Sequence, residues 1–351
     1  MLDKHIYNTL VLGGGAVKAI ATLGALFYLQ EVKQTDFIEN YVGTSAGAII
    51  CYLSCIGYTP FEIIRFLCMS NLFEEIQNLR LANILERRGV LNYYVIHDHL
   101  EKLTLNKIGY LPTLSDIRNR YGKNLTVVTF NLTKGVPEYL SAKTNPNLPC
   151  LTALRMSSNI PLLFDRFFYN NYEYIDGGFV DNFPINHLQG PEYKIIAIRL
   201  NPSSEIDTTK MGQFQYLMKV MMSPHQYLNS KENPEQSAVI MIHTDTNSFE
   251  FNLTVARRLN IFSQGYQAAK LVFEPPLLKK EEKKEEEETK EVKKEPLKEE
   301  ETKEVKNDPL KEEVVEEEET KKEILEAKEA KDDSPREKKD IIGNDGCSGN
   351  S

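Results

Sequence analysis

The sequence predicts an α/β domain with a mostly parallel central sheet covered by helices on both faces, a three-layer arrangement, followed by a charged tail. Three observations predict it. Strand-like and helix-like segments alternate from Asn8 to Phe273. Several of the strand-like runs are short and apolar, as strands buried inside a parallel sheet are. The composition then changes abruptly at Pro275-Pro276, beyond which Lys and Glu dominate. The expected organisation is one folded domain over residues 1–275 and a low-complexity, disordered tail over 276–351.

The elements follow in order. Asn8–Leu12 is a β-type run that ends in Gly13-Gly14-Gly15. Ala16–Val32 has helical spacing, with Ile20, Leu23, Gly24, Phe27 and Tyr28 on one face. Tyr41-Val42 leads into Gly43, and Ala46–Ile56 is again helical in type. Thr59-Pro60-Phe61-Glu62 is a helix start: Thr as N-cap, Pro at the first helical position, Glu62 closing a capping box. Leu125–Leu132, Ile195–Leu200 and Ala238–His243 read as strands, Tyr172–Ile175 as strand-like, and Arg257–Phe273 as a closing helix.

The tail repeats itself. The segment from Glu288 to Glu300 recurs thirteen residues later, from Glu301 to Glu313. That period fits neither a heptad nor an eleven-residue repeat, and Pro296 and Pro309 interrupt the units, which argues against a coiled coil. So few apolar residues cannot offset the entropy of ordering such a segment. The tail from Lys279 onward holds 18 Lys+Arg and 27 Asp+Glu of the chain's 42 and 51, and with them the whole net charge of −9. Residues 1–278 are formally neutral, so charge gives no reason to expect a nucleic-acid partner.

No apolar run reaches the eighteen residues of a membrane span, and Thr9–Leu12 is too short for a signal-peptide core. Cys51, Cys55 and Cys68 lie in apolar helix-like sequence, Cys150 follows a proline and Cys347 is in the tail. This is neither a disulfide framework nor zinc-ligand spacing, and it reads as reduced thiols in a reducing, cytoplasmic compartment.

Three segments carry chemistry. Gly43-Thr44-Ser45-Ala46-Gly47 is a G-x-S-x-G between a strand and a helix, where a sharp turn with small neighbours exposes a serine hydroxyl beside a helix N-terminus. Gly13-Gly14-Gly15-Ala16-Val17-Lys18 occupies another strand-to-helix junction. Its backbone amides can face an anion, either a phosphate or the oxyanion of a tetrahedral intermediate, or the segment is a plain turn. It has neither Walker nor Rossmann spacing. Asp176-Gly177-Gly178 is a turn, or a carboxylate held as a base. On residues alone a Ser–His–Asp triad stays open, since His187, His225 and His243 all follow Asp176.

In this order the segments resemble the patatin-like phospholipases, whose pattern is a glycine-rich loop with Lys or Arg, then G-x-S-x-G, then D-G-[GA]. Ser158-Asn159-Ile160-Pro161 is similar to the family's S-x-x-P, and Asp176 to Pro184 to its D-G-G-x-x-D-N-x-P run. Alanines at positions 16 and 19 stand where the family's loop usually has glycine.

The resemblance implies a serine lipid acyl hydrolase of phospholipase A type that needs no metal or cofactor. Ser45 would be the nucleophile, Asp176 its base, and the amides of Gly14, Gly15 and Ala16 the oxyanion donors. Lys18 would support the loop or attract a lipid phosphate, unless it is an ordinary surface lysine. The implied partners are an acyl-lipid substrate and, peripherally, the membrane that holds it. Ile160–Phe164 with Phe167-Phe168, and Leu91–Val95, are candidates to line an acyl channel or touch a membrane, or are ordinary core. A different reading keeps the chain as a weak or inactive binding relative, with Ala16 and Ala19 spoiling the oxyanion loop and the charged tail as the working part.

Overall fold

Thr9–Leu12 (β1) is buried along its whole length and forms the middle of the sheet. The computed structural model describes residues 7–76, 91–201, 212–228 and 237–274. β1 pairs in parallel with β2 (Asn40–Thr44) on one side and β7 (Ile195–Asn201) on the other. β3 (Asn124–Asn131) and β8 (Ser237–His243) extend this parallel core outward. β4 (Val136–Ser141), β5 (Phe167–Tyr169) and β6 (Tyr172–Asp176) add an antiparallel margin beside β3. β4 and β5 were not predicted as strands: β4 is partly exposed and carries a proline and a glutamate, and β5 is a partly exposed aromatic run only three residues long.

One feature of the register positions the site. β4 takes one edge of β3 from Thr126 to Asn131. The other edge is shared end to end: β2 covers Asn124–Val128 and β6 covers Thr129–Asn131. Thr44 therefore lies opposite Val128, and Asp176 opposite the next residue, Thr129. The chain ends of β2 and β6 meet head to head.

The helices are α1 (Ala19–Glu31), α2 (Ala46–Cys55), α3 (Pro60–Met69), α4 (Leu72–Ile76), α5 (Tyr93–Ile108), α6 (Leu114–Tyr121), α7 (Cys150–Ser157), α8 (Gln213–Leu228) and α9 (Val255–Phe273). Helix α1 is buried around most of its circumference, not on the single face the spacing predicts, because it lies beneath α9 as well as against the sheet. The two helices approach closely at paired glycines. A Cβ on Gly24 would collide with the Phe262 carbonyl, and one on Gly265 with that of Ala21. Helix α3 begins with the predicted capping box, Thr59 and Glu62 each accepting the other's backbone N–H.

Leu10 and Leu12 face the main core with α1 and α2, whereas Val11 faces a smaller cluster. That second face is closed by Phe183 and Ile185, at the 3-10 helix Pro184–His187. Cys51, Cys55 and Cys150 are buried and Cys68 half-buried, all unbridged. No single helix among the described residues is long and apolar enough to cross a membrane. The described residues all fall in one compact unit, Met1–Lys283, and the expected boundary at 275/276 lies outside them.

Candidate active site

Ser45 sits between β2 and α2 with φ 55° and ψ −125°, in the region that L-residues avoid. The turn closes tightly because its glycines admit backbone: a Cβ on Gly47 would collide with the Leu12 carbonyl. The strained conformation is tied in place. The Ser45 N–H donates to Ser157 Oγ at 2.8 Å, and that hydroxyl donates onward to the Val128 carbonyl at 2.6 Å. Ser157 is fully buried at the end of α7.

The Ser45 hydroxyl donates to Asp176 Oδ2 at 2.6 Å. The other carboxylate oxygen, Oδ1, accepts the Gly178 N–H at 2.7 Å, and the Asp176 N–H donates to the Asn159 carbonyl at 2.9 Å. Gly177 lies against the Val128 carbonyl, where a side chain would not fit. Both members of the pair are buried, Ser45 at 6% and Asp176 at 4% exposure. Burial pushes the Asp176 carboxyl up to about 6, opposed by its bonds from Ser45 and Gly178. A carboxylate of that basicity, within hydrogen-bond reach of a hydroxyl, is poised near neutrality to accept its proton.

The rest of the Asp-Gly-Gly run braces both neighbouring turns. The Asp181 carbonyl accepts the Thr44 hydroxyl at 2.8 Å. Asn182 holds Gly14 from both sides: its carbonyl accepts the Gly14 N–H at 3.0 Å and its amide donates to the Gly14 carbonyl at 3.2 Å. The Gly14 amide is already engaged, which leaves Gly15 and Ala16, whose N–H groups donate to no described group. The two alanines also part company. Ala16 takes a left-handed φ of 48°, where glycine would be unstrained. Ala19 is in ordinary helical geometry at φ −60°, where glycine has no advantage.

Lys18 is not a surface residue. It is 6% exposed, and its ammonium forms no hydrogen bond or ion pair with a described residue. Burial lowers its ammonium below the usual lysine range, and the charge of nearby Lys219 lowers it further.

The triad alternative finds no support in the described histidines. His187 stacks on Tyr139 at 3.7 Å, and its charge couples to Asp181, which accepts the Tyr139 hydroxyl at 2.7 Å. His243 meets Asn201, and the side chain of His225 lies outside the described residues.

An apolar cavity of about 180 Å³ has Ser45 in its lining and runs between the helices. Its walls include Ile20, Ile50, Phe66, Leu103 and Phe164. Of the stretches flagged in the sequence, Ile160, Leu163 and Phe164 line it, while Leu162 and Phe168 are exposed. Leu91 and Tyr93 are core, packed behind Leu163 and Phe164. Sequence reasoning missed Ser157, Asp181 and Asn182 as site residues. For the last two the D-N-x-P spacing was a signal, but a serine one residue before the S-x-x-P segment gave none.

A probable lipid hydrolase, 463L of Invertebrate iridescent virus 6, is 38% identical over 188 residues, which is 53% of this chain and 64% of the viral protein. The chain thus spans less than two thirds of that relative's length. The uncharacterized protein YqhO of Bacillus subtilis is 28% identical over 287 residues, 74% of this chain and 96% of its own. The crystal structure of VipD from Legionella pneumophila superposes with a TM-score of 0.49 at 20% identity, covering 76% of this chain and 66% of that one. The family model of the patatin-like phospholipases matches residues 10–188, from β1 to just past the Asp-Asn-Phe-Pro run. It takes in the serine turn, the aspartate and the segment that braces them, and the chain belongs to that family.

Proposed function

We propose that the protein hydrolyses acyl esters of phospholipids or related lipids through an acyl-serine intermediate. The observation that carries this reading is the 2.6 Å hydrogen bond to a buried carboxylate from the hydroxyl of Ser45, a residue that lines an apolar cavity. As Ser45 Oγ attacks the ester carbonyl, its proton passes to Asp176 Oδ2, and the electron pair of the C=O bond moves onto oxygen. Collapse of the tetrahedral intermediate expels the alcohol, which takes the proton from Asp176. Water, deprotonated by the same carboxylate, then releases the fatty acid and restores the serine.

The N–H groups of Gly15 and Ala16, which meet no described acceptor, are the donors assigned to the oxyanion, each contributing about 3 kcal/mol to the transition state. The cavity takes the acyl chain, for which an apolar lining beside the nucleophile is the appropriate chemistry. The name of the viral relative, a probable lipid hydrolase, supports the substrate class.

Labelling with a fluorophosphonate ester, read by mass spectrometry, tests this. Ser45 is expected to be modified in the wild type and to react at least a hundredfold more slowly in Asp176→Asn. A folded wild type that is not labelled would overturn the reading in favour of a binding protein.

A further inference from the structure

Helix α8 packs on the Gly177–Phe179 turn that follows Asp176, so it borders the proposed active site. Met218, 1% exposed, anchors its inner side. Tyr216, Leu217, Val220 and Met221 are all exposed, by 40% to 56%. With Met218 pointing inward and about 100° of rotation per residue, these four fall in one outward arc of roughly 140°. An ordinary surface helix presents the opposite pattern, polar outside and apolar inside. Its one charged residue, Lys219, flanks the apolar arc.

The second observation is electrostatic. Lys219 reaches close enough to Lys18 to press on its charge, and Lys18 is buried without an acidic partner among the described residues. Buried charges are normally paired, and two cations with no anion among the described residues, beside an apolar surface, suit an anion that arrives with apolar material. A phospholipid layer supplies both, phosphate at the headgroup and hydrocarbon beneath it.

We infer that α8 seats the protein on an anionic phospholipid surface. Tyr216, Leu217, Val220 and Met221 enter the boundary between headgroups and acyl chains, while Lys219 and Lys18 take a lipid phosphate. The inference rests on the lipid-hydrolase reading only for what the docked protein does next. Docking itself stands on α8.

The test uses the full chain in co-sedimentation with vesicles of phosphatidylcholine, with and without a minority of phosphatidylglycerol. Wild type is expected to bind the anionic vesicles more tightly. The double substitution Leu217→Glu/Val220→Glu should weaken that binding at least about tenfold. Its turnover of a soluble monomeric ester should stay at the wild-type level, which also reports that it folds. The neutral pair Leu217→Ser/Val220→Ser should weaken binding in the same direction, and Lys219→Glu should abolish the preference for anionic vesicles. Wild-type binding by these variants, or no vesicle binding by wild type, overturns the inference. So does a dimeric wild type in light scattering whose double variant is monomeric yet still binds vesicles, since the face would then pair two copies. Vesicle binding lost in the variants, with no ester turnover by wild type, upholds the docking surface and removes the hydrolase reading.

Discussion

Two strand-to-helix turns stand side by side at the same edge of the sheet, after β1 and after β2, and each holds a non-glycine residue in left-handed backbone: Ala16 at φ 48° and Ser45 at φ 55°. The strain is alike and its support is not. Ser45 is fixed through its N–H by Ser157 and through its hydroxyl by Asp176. Ala16 has no polar side chain, and its N–H meets no described acceptor. Strain survives where its surroundings overdetermine it. At Ser45 the surroundings are hydrogen bonds that the proposed chemistry uses. At Ala16 they are the neighbours: Gly14 clamped by Asn182, and the Val17 N–H donating to the Ser248 carbonyl at 3.2 Å. One turn is built around its strained residue, the other merely tolerates it.

The largest expected effects fall on the serine turn. With Asp176 near 6, kcat/KM should rise with pH and level off above about 6, and Asp176→Asn should remove that limb with nearly all turnover. The same burial has a consequence for stability. The folded carboxyl is raised above its unfolded value near 3.8, so its neutral form is favoured in the fold. The stability this contributes is fully present below about pH 4 and lost as pH rises through 6, where ionising the buried group costs on the order of 3 kcal/mol. Asp176→Asn should therefore be more stable than wild type at pH 8 by about 2–3 kcal/mol in denaturant unfolding, with the gain shrinking toward zero at pH 4. A variant less stable than wild type at pH 8 would mean the carboxylate is held by more than the two bonds seen.

Ser157→Ala sharpens the contrast at the next level down. It leaves the Ser45 N–H and the Val128 carbonyl buried without their partner, which costs about 1–3 kcal/mol of stability. A purely structural role would end there. As a positioning residue Ser157 should also lower kcat by about tenfold or more while leaving KM and the pH midpoint near 6 in place, because cavity and base are untouched. Ser157→Thr, which keeps the hydroxyl, should recover most of the loss. An alanine variant with reduced stability and wild-type kcat would confine Ser157 to the fold.

The parallel core was legible in the sequence because β1, β2, β3, β7 and β8 are short apolar runs next to glycines or helical spacing. Their bounds differ from the expected ones by three residues or fewer. The turns that bring Ser45 and Asp176 together were legible because each needs small neighbours at fixed offsets, and glycine leaves a visible trace. What the sequence hid depends on distant partners. Ser157 acts on residues 112 and 29 positions away. No local pattern distinguishes its hydroxyl from that of Ser158, which instead bonds back to the Leu154 carbonyl within its own helix. The all-round burial of α1 was hidden likewise, since it depends on α9 arriving from the far end of the domain. The engagement of the Gly14 amide was hidden for the same reason: Asn182, whose carbonyl accepts it, lies 168 residues on.

The smallest effect belongs to the other turn. Ala16→Gly removes a Cβ from left-handed backbone, relieving about 1 kcal/mol of local strain. Two losses oppose it: the greater freedom of glycine in the unfolded chain and the contact of the Ala16 methyl with the cavity wall. A net gain of about 0.5 kcal/mol is expected in denaturant unfolding, with turnover at or above wild type, since the amide that would face the oxyanion is kept. A loss of stability would show that the methyl matters more to the cavity than the backbone strain does. The turn after β1 would then be built around its strained residue as the turn after β2 is, and the difference between them would lie in what holds each residue, hydrocarbon in one and hydrogen bonds in the other.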